Sequence, residues 1–332
     1  MSVPCLNLRL IFRRRSGSFL GRLPTAALLA CGATLPIVLG VRLGHESLGF
    51  IASSGAYFVT IAHADLPIKG RVQRIATTVL MLCAGAIAGA SAGQRIWIFL
   101  PVAAFGASWQ AWTEIANTAL RFPAAIAVLV LLLSTGNVSP DLSVATYGAA
   151  FAAGAVWQGL IQYVAAQPSD KPSTTLAADI DALISNLAAA RRFIATMAML
   201  GVAGGTIAAS LPLPHAAWLL TAALRVTKPS QAETLRRLKH RFIGTVGGAI
   251  VSAGLLGWQL PPLLYAGILG LMLTVMQLIG ARHYAVWTFC LTVIALDLGQ
   301  RSHEIGWHAA GDRLLLTIGG LALAGLFGLR LP

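Results

Sequence analysis

Apolar residues run along this chain in twelve blocks, each closed by charge, proline or glycine. The first six span residues 23–44, 48–63, 75–93, 96–112, 122–136 and 144–166. Six more span 193–211, 216–226, 242–258, 263–280, 284–298 and 314–329. A block of about 20 apolar residues is what an α-helix needs to cross a bilayer. The pattern predicts an all-α polytopic membrane protein with about twelve transmembrane helices. Residues 167–190, with Pro168, Ser169, Pro172, Ser173, Asp179 and Asp181, form the longest polar stretch and separate six blocks from six.

Composition agrees. Of 332 residues, 57% are apolar and 11% charged, against about 25% charged in soluble domains, and the mean hydropathy is +0.75. Twelve spans use roughly 240 positions, so every loop is short and no soluble catalytic domain has room. The expected function is therefore not enzymatic, and any chemistry lies in or beside the bilayer.

The net charge of +13 suggests nucleic acid only until the cations are placed. With the N-terminus inside, all but four of the 24 Lys and Arg residues fall on cytoplasmic segments, the exceptions being Arg42, Arg95, Arg301 and Arg313. Such a bias orients membrane proteins, and it predicts both termini in the cytoplasm. The organisation expected is a basic tail (1–22), a first six-helix repeat (23–166), a cytoplasmic linker (167–190) and a second repeat (191–332). The Arg-rich start has the outline of a signal peptide, but its apolar run is about 20 residues long and lacks a small-x-small site, so a retained first helix is expected.

The halves repeat. At an offset of 167, Arg74, Thr78, Val79, Ala86 and Gln110 fall on Arg241, Thr245, Val246, Ala253 and Gln277. Because six is even, the two repeats are parallel, and transport pathways tend to lie between such repeats. Gly85, Gly89 and Gly93, like Gly244 and Gly248, recur one helical turn apart and suit close backbone packing.

The motif Arg241-x-x-Gly244-Thr245-x-x-Gly248 follows Lys228-Pro229 and a basic stretch, and is followed by Arg282-His283-Tyr284-Ala285 with Thr288, Phe289 and Thr292. With these residues the chain resembles the fusaric acid resistance family, within the aromatic acid exporter superfamily. The resemblance covers residues 228–298 and, more weakly, 65–136. It implies a bacterial inner-membrane exporter of aromatic or other organic acids, driven by the proton gradient and in some cases working with a periplasmic adaptor protein. The superfamily also holds the plant aluminium-activated malate transporters, in which six-span subunits pair around an anion path. Large exporters of the family carry a long cytosolic domain between the halves, where this chain has only residues 167–190.

Candidate transport residues follow from cost, since polar groups inside a bilayer are expensive. Asp297, about 22 Å along its span from Arg282, is a candidate for proton coupling, with Glu114 and His63 at the opposite face. Gln110 and Gln277, at matched depths, would donate amide hydrogen bonds to a carboxylate. Arg74 and Arg241 would attract anions at the mouths of equivalent helices, with Arg121, Arg225 and Arg282 at a similar level. Tyr57, Trp109 and Trp112 would stack on an aromatic ring or anchor at the interface. A passive anion channel is the alternative, using the same cations without a titrating Asp297.

Other chemistries find little support. Ala52-Ser53-Ser54-Gly55 is similar to the nucleophile turn of intramembrane serine proteases but has no well-placed histidine. His303-Glu304 with His308 has the wrong spacing for a helical zinc motif, and there is no phosphate-binding Gly-x-x-x-x-Gly-Lys-Ser/Thr loop. Cys5, Cys31, Cys83 and Cys290 are single, so neither metal, disulfide nor cofactor is expected.

Overall fold

The computed structural model describes residues 19–62, 70–93, 95–135, 142–165, 176–213, 215–258, 260–280, 283–299 and 306–328. Among them are thirteen helices: α1 Phe19–Arg42, α2 Glu46–Ala62, α3 Arg71–Ala92, α4 Ile96–Ala116, α5 Arg121–Ser134, α6 Val144–Ala165, α7 Leu176–Ser185, α8 Leu187–Ser210, α9 Ala217–Val226, α10 Gln231–Gly257, α11 Pro262–Ile279, α12 Tyr284–Gly299 and α13 Gly306–Gly328. Twelve of them cover the twelve apolar blocks, and α7 falls in the polar stretch between the halves. Six are long and apolar enough to cross a membrane: α1, α3, α6, α8, α11 and α13. Trp97, Phe105, Leu80 and Ile250 stand outward, each about two-thirds or more exposed. Apolar surface on that scale is costly in water and ordinary against lipid.

Two helices begin earlier than the apolar pattern implies. The basic stretch before Phe242 is the first part of α10, so Arg241 stands inside a helix. Helix α13 starts at Gly306, which draws Arg313 into its second turn and away from the loop position expected of it. Charge had masked helix continuation in both places.

The inner helices are short. All ten residues of α9 are buried, and α5 buries everything except Arg121, Phe122 and Leu133. At 1.5 Å per residue α9 is about 15 Å long, half a hydrocarbon core. Backbone that falls short of the membrane is tolerated where protein surrounds it.

Packing follows a pattern that recurs in the two halves. Helix α3 packs on α5 as α10 packs on α12; α2 packs on α6 as α9 packs on α13; α1 packs on α2 as α8 packs on α9. The fourth helix of each half crosses over, α4 lying against α8 and α11 against α1. Glycines permit the closest of these approaches. A Cβ on Gly89 would run into the Leu131 carbonyl, and one on Gly244 into the Ala285 carbonyl, as the small-residue spacing suggested.

Side-chain amides and indoles join the helices at their carbonyls. Trp157 Nε1 donates to Gly32 O (3.0 Å), Gln158 Nε2 to Leu29 O (3.0 Å) and Gln162 Nε2 to Val59 O (3.0 Å). Ser53 Oγ donates to Ala33 O at 2.6 Å and Ser54 Oγ to Phe50 O at 3.0 Å. These hydroxyls serve packing.

Candidate functional site

Three arginines lie in the interior of the second half: Arg225 at the end of α9, Arg241 in α10 and Arg313 in α13, exposed by 8%, 1% and 2%. Among the described residues, none of the three has a carboxylate partner. Two of them, Arg225 and Arg313, have aromatic partners. The Arg225 guanidinium lies 5.6 Å from the ring centres of both Phe122 and Trp287, and that of Arg313 lies 4.2 Å from Trp218. Arg237, nearer the end of the bundle, stands 5.1 Å over Tyr284, which stacks on Trp287. Ring quadrupoles attract cations without neutralising them, so the positive charge stays available.

The unused donors are specific. Among the described residues, Nε and Nη1 of both Arg241 and Arg313, and Nε of Arg225, have no hydrogen-bond partner. Neither have the hydroxyls of Thr221, Thr245, Ser252, Tyr284 and Thr317. Buried polar atoms are normally paired. A group of unpaired guanidinium donors and hydroxyls, with no carboxylate among them, has the chemistry of a site for an anion.

A cavity of about 800 Å³ opens at one end of the bundle, lined by the turns around Gly93 and Leu211, by the end of α5 and by the start of α9. Its wall includes His215 and Trp218. The imidazole of His215 stacks on the Trp218 indole at 4.8 Å and 14°. Burial, with the Arg313 charge beyond the indole, holds the His215 pKa below its ordinary value. A neutral ring therefore faces the cavity.

Lys228 lies at the opposite end of α9, where its Nζ donates to Glu114 Oε2 at 2.7 Å. Both side chains are largely buried, 8% and 13% exposed. Burial lowers the Lys228 pKa to about 8 against the opposing attraction of Glu114. Arg121 adds a second contact to Glu114 at 3.8 Å. Thr234 braces this turn, accepting from Lys228 N and donating to Lys228 O.

The sequence candidates disperse. Arg241 joins the interior cluster, whereas its repeat mate Arg74 pairs with Asp179 of α7 at 3.6 Å. Gln110 Nε2 donates to Leu224 O (2.9 Å) and Gln277 Nε2 to Thr60 O (3.0 Å), so both amide donors are occupied by backbone. Tyr57 is buried, with its hydroxyl 4.0 Å from Met276 Sδ. Trp109 meets Trp112 edge to face at 5.7 Å, and Trp112 donates to Leu183 O of α7. Asp297 belongs to α12, but its side chain lies outside the described residues, as do His63 and Arg282 altogether. Arg313 and Trp218 were missed because the last apolar block begins after Arg313 and because Trp218 opens the shortest block.

Residues 202–327 match the family model described as fusaric acid resistance protein-like. A stretch of 131 residues, 39% of this chain, is 34% identical to the uncharacterized protein slr1298 of Synechocystis sp. (strain ATCC 27184 / PCC 6803 / Kazusa). That stretch amounts to 17% of the relative, so the chain spans only a small part of its length. No solved structure matches the chain significantly. The matched region holds Arg225, Arg241, Arg313 and Trp218. The resemblance seen in the motifs around Arg241 and Tyr284 is thus found again over residues 202–327, the part of this multi-helix membrane protein that matches the fusaric acid resistance protein-like family model.

Proposed function

We propose that the protein is an inner-membrane secondary transporter that exports organic anions, aromatic carboxylates among them, in exchange for protons. The observation that carries this reading is the set of buried arginines without acidic partners among the described residues. An uncompensated charge held away from water costs several kcal/mol, and a bound carboxylate offsets that cost. Aromatic faces beside the Arg225 and Arg313 guanidinium groups suit a substrate that carries its own ring.

The paired packing of α3 on α5 and α10 on α12, with the crossed α4 and α11, supports two parallel repeats of six spans. It fits the N-in, C-in orientation from the positive charges, with the 800 Å³ cavity on the periplasmic side. Proton coupling rests on Asp297 of α12, since Glu114 is tied to Lys228 and Arg121. That same tie favours the passive anion channel as the second reading. A periplasmic adaptor belongs to the exporter reading as a further partner.

Efflux of radiolabelled aromatic and aliphatic carboxylates from inverted vesicles, with and without an uncoupler, distinguishes the two. Antiport predicts uncoupler-sensitive transport that Asp297→Asn abolishes. Transport indifferent to both identifies a channel, and no flux of any acid removes the anion reading.

A further inference from the structure

One side chain both lines the cavity and contacts an interior arginine. Trp218, 3% exposed, has His215 stacked on one face and the Arg313 guanidinium at 4.2 Å. Behind it two adjacent helices carry the same element. On α10 Arg241 is followed four residues on by Thr245, and on α13 Arg313 by Thr317. Residues four apart lie on one helix face, and α10 packs directly on α13. All four side chains are at least 98% buried, and each has polar atoms without a partner. Thr221, one turn beyond Trp218 on α9, is likewise buried with its hydroxyl unpaired among the described residues.

We propose that the two Arg-x-x-x-Thr pairs form one occluded carboxylate site and that Trp218 is its lid towards the cavity. This rests on the reading of the protein as an anion transporter and adds a place and a gate to it. The interior beside Arg313 is closed, while the cavity outside Trp218 holds about 800 Å³. A carboxylate leaving or entering by this end must therefore displace the indole. It replaces a cation–π contact with charge-assisted hydrogen bonds from Arg313, which are the stronger interaction, and hydroxyls of Thr317 and Thr221 supply neutral donors. When the anion departs, the indole returns to the guanidinium. The lid sits where the backbone turns sharply: His215 has a left-handed φ of 58°, and α9 begins two residues later. No proton or electron changes hands in the exchange.

The test is labelling of Thr317→Cys by an anionic methanethiosulfonate, in protein lacking its native cysteines, with the reagent on the cavity side. Benzoate efflux is measured in parallel on protein retaining Thr317. The lid predicts slow labelling with Trp218 present, at least tenfold faster labelling in Trp218→Ala, and slow labelling again in Trp218→Phe. Benzoate should slow the fast reaction, and Arg313→Gln should remove that protection. Trp218→Leu replaces the alanine variant if the latter does not fold. Equal labelling with and without Trp218, while benzoate efflux persists, overturns the lid and leaves the transport reading standing. Absence of benzoate binding and of any carboxylate flux in the unaltered protein overturns both.

Discussion

Gln110 and Gln277, 167 positions apart, make the same bond: each amide donates to a main-chain carbonyl of a short inner helix, at Leu224 in α9 and at Thr60 in α2. Since α4 and α11 are the helices that cross over, each bond ties one half of the chain to the other. Hydrogen bonds between membrane helices contribute about 0.6 to 2 kcal/mol. Gln110→Leu and Gln277→Leu should each destabilise the detergent-purified protein by about 1 kcal/mol, close to additively at such separation. Thermal unfolding checks this. KM for carboxylates should be unchanged, whereas amides that bound substrate would raise it.

The Lys228–Glu114 pair predicts a larger loss. Removing one partner of a largely buried ion pair costs roughly 3 to 5 kcal/mol, because the other charge is stranded. Glu114→Gln strands the buried Lys228 ammonium and should therefore destabilise strongly, and adding Lys228→Met should restore much of the difference. Denaturation of the two variants and the unaltered protein decides it; a double variant as unstable as the single one contradicts the account.

Lys228 also sets a pH dependence. Its pKa is about 8 in the folded protein against an ordinary 10.5. Between these values the unfolded chain binds the extra proton, so stability rises with pH across that window. Below about pH 8 the group is charged in both states and contributes no slope. Melting temperatures of unaltered protein relative to Lys228→Met should thus climb from pH 8 to 10.5 and stay level between pH 6 and 7.5.

At the same end of the bundle, Asp179 carries the short helix α7. It meets Arg74 at 3.6 Å and accepts from Ala119 N at 3.4 Å, while Trp112 Nε1 holds Leu183 O at 2.6 Å. Asp179→Asn should loosen α7, read as proteolysis of the segment between the halves at least several-fold faster. An unchanged rate would contradict this role for Asp179.

Much of this architecture was legible in the hydrophobic pattern, because helices in an apolar setting must be apolar over their length. Twelve blocks became twelve helices, and the glycine spacings of α3 and α10 marked close approaches. Charge misled where it sat inside helices. Residues 231–241 read as a basic loop, and Arg313 as lying before the last span and outside the cytoplasmic segments, since a membrane arginine is ordinarily placed at the interface. What buries these arginines is packing of distant helices against α9, α10 and α13, which no local window contains. The matched depth of Gln110 and Gln277 was visible, but whether an amide meets a substrate or a carbonyl depends on helix rotation. The pairing of Trp218 with Arg313, 95 positions later, left no local signal.

The buried arginines join transport and stability with opposite signs. Replacing an unpaired buried charge by a neutral polar group relieves desolvation, while a carrier of anions loses its partner for the substrate. The measurement is benzoate efflux together with the melting temperature for Arg313→Gln and Arg241→Gln. The account predicts efflux reduced at least tenfold in each, with melting temperatures equal to or above that of the unaltered protein. Efflux retained at the unaltered rate and KM in both variants would contradict it.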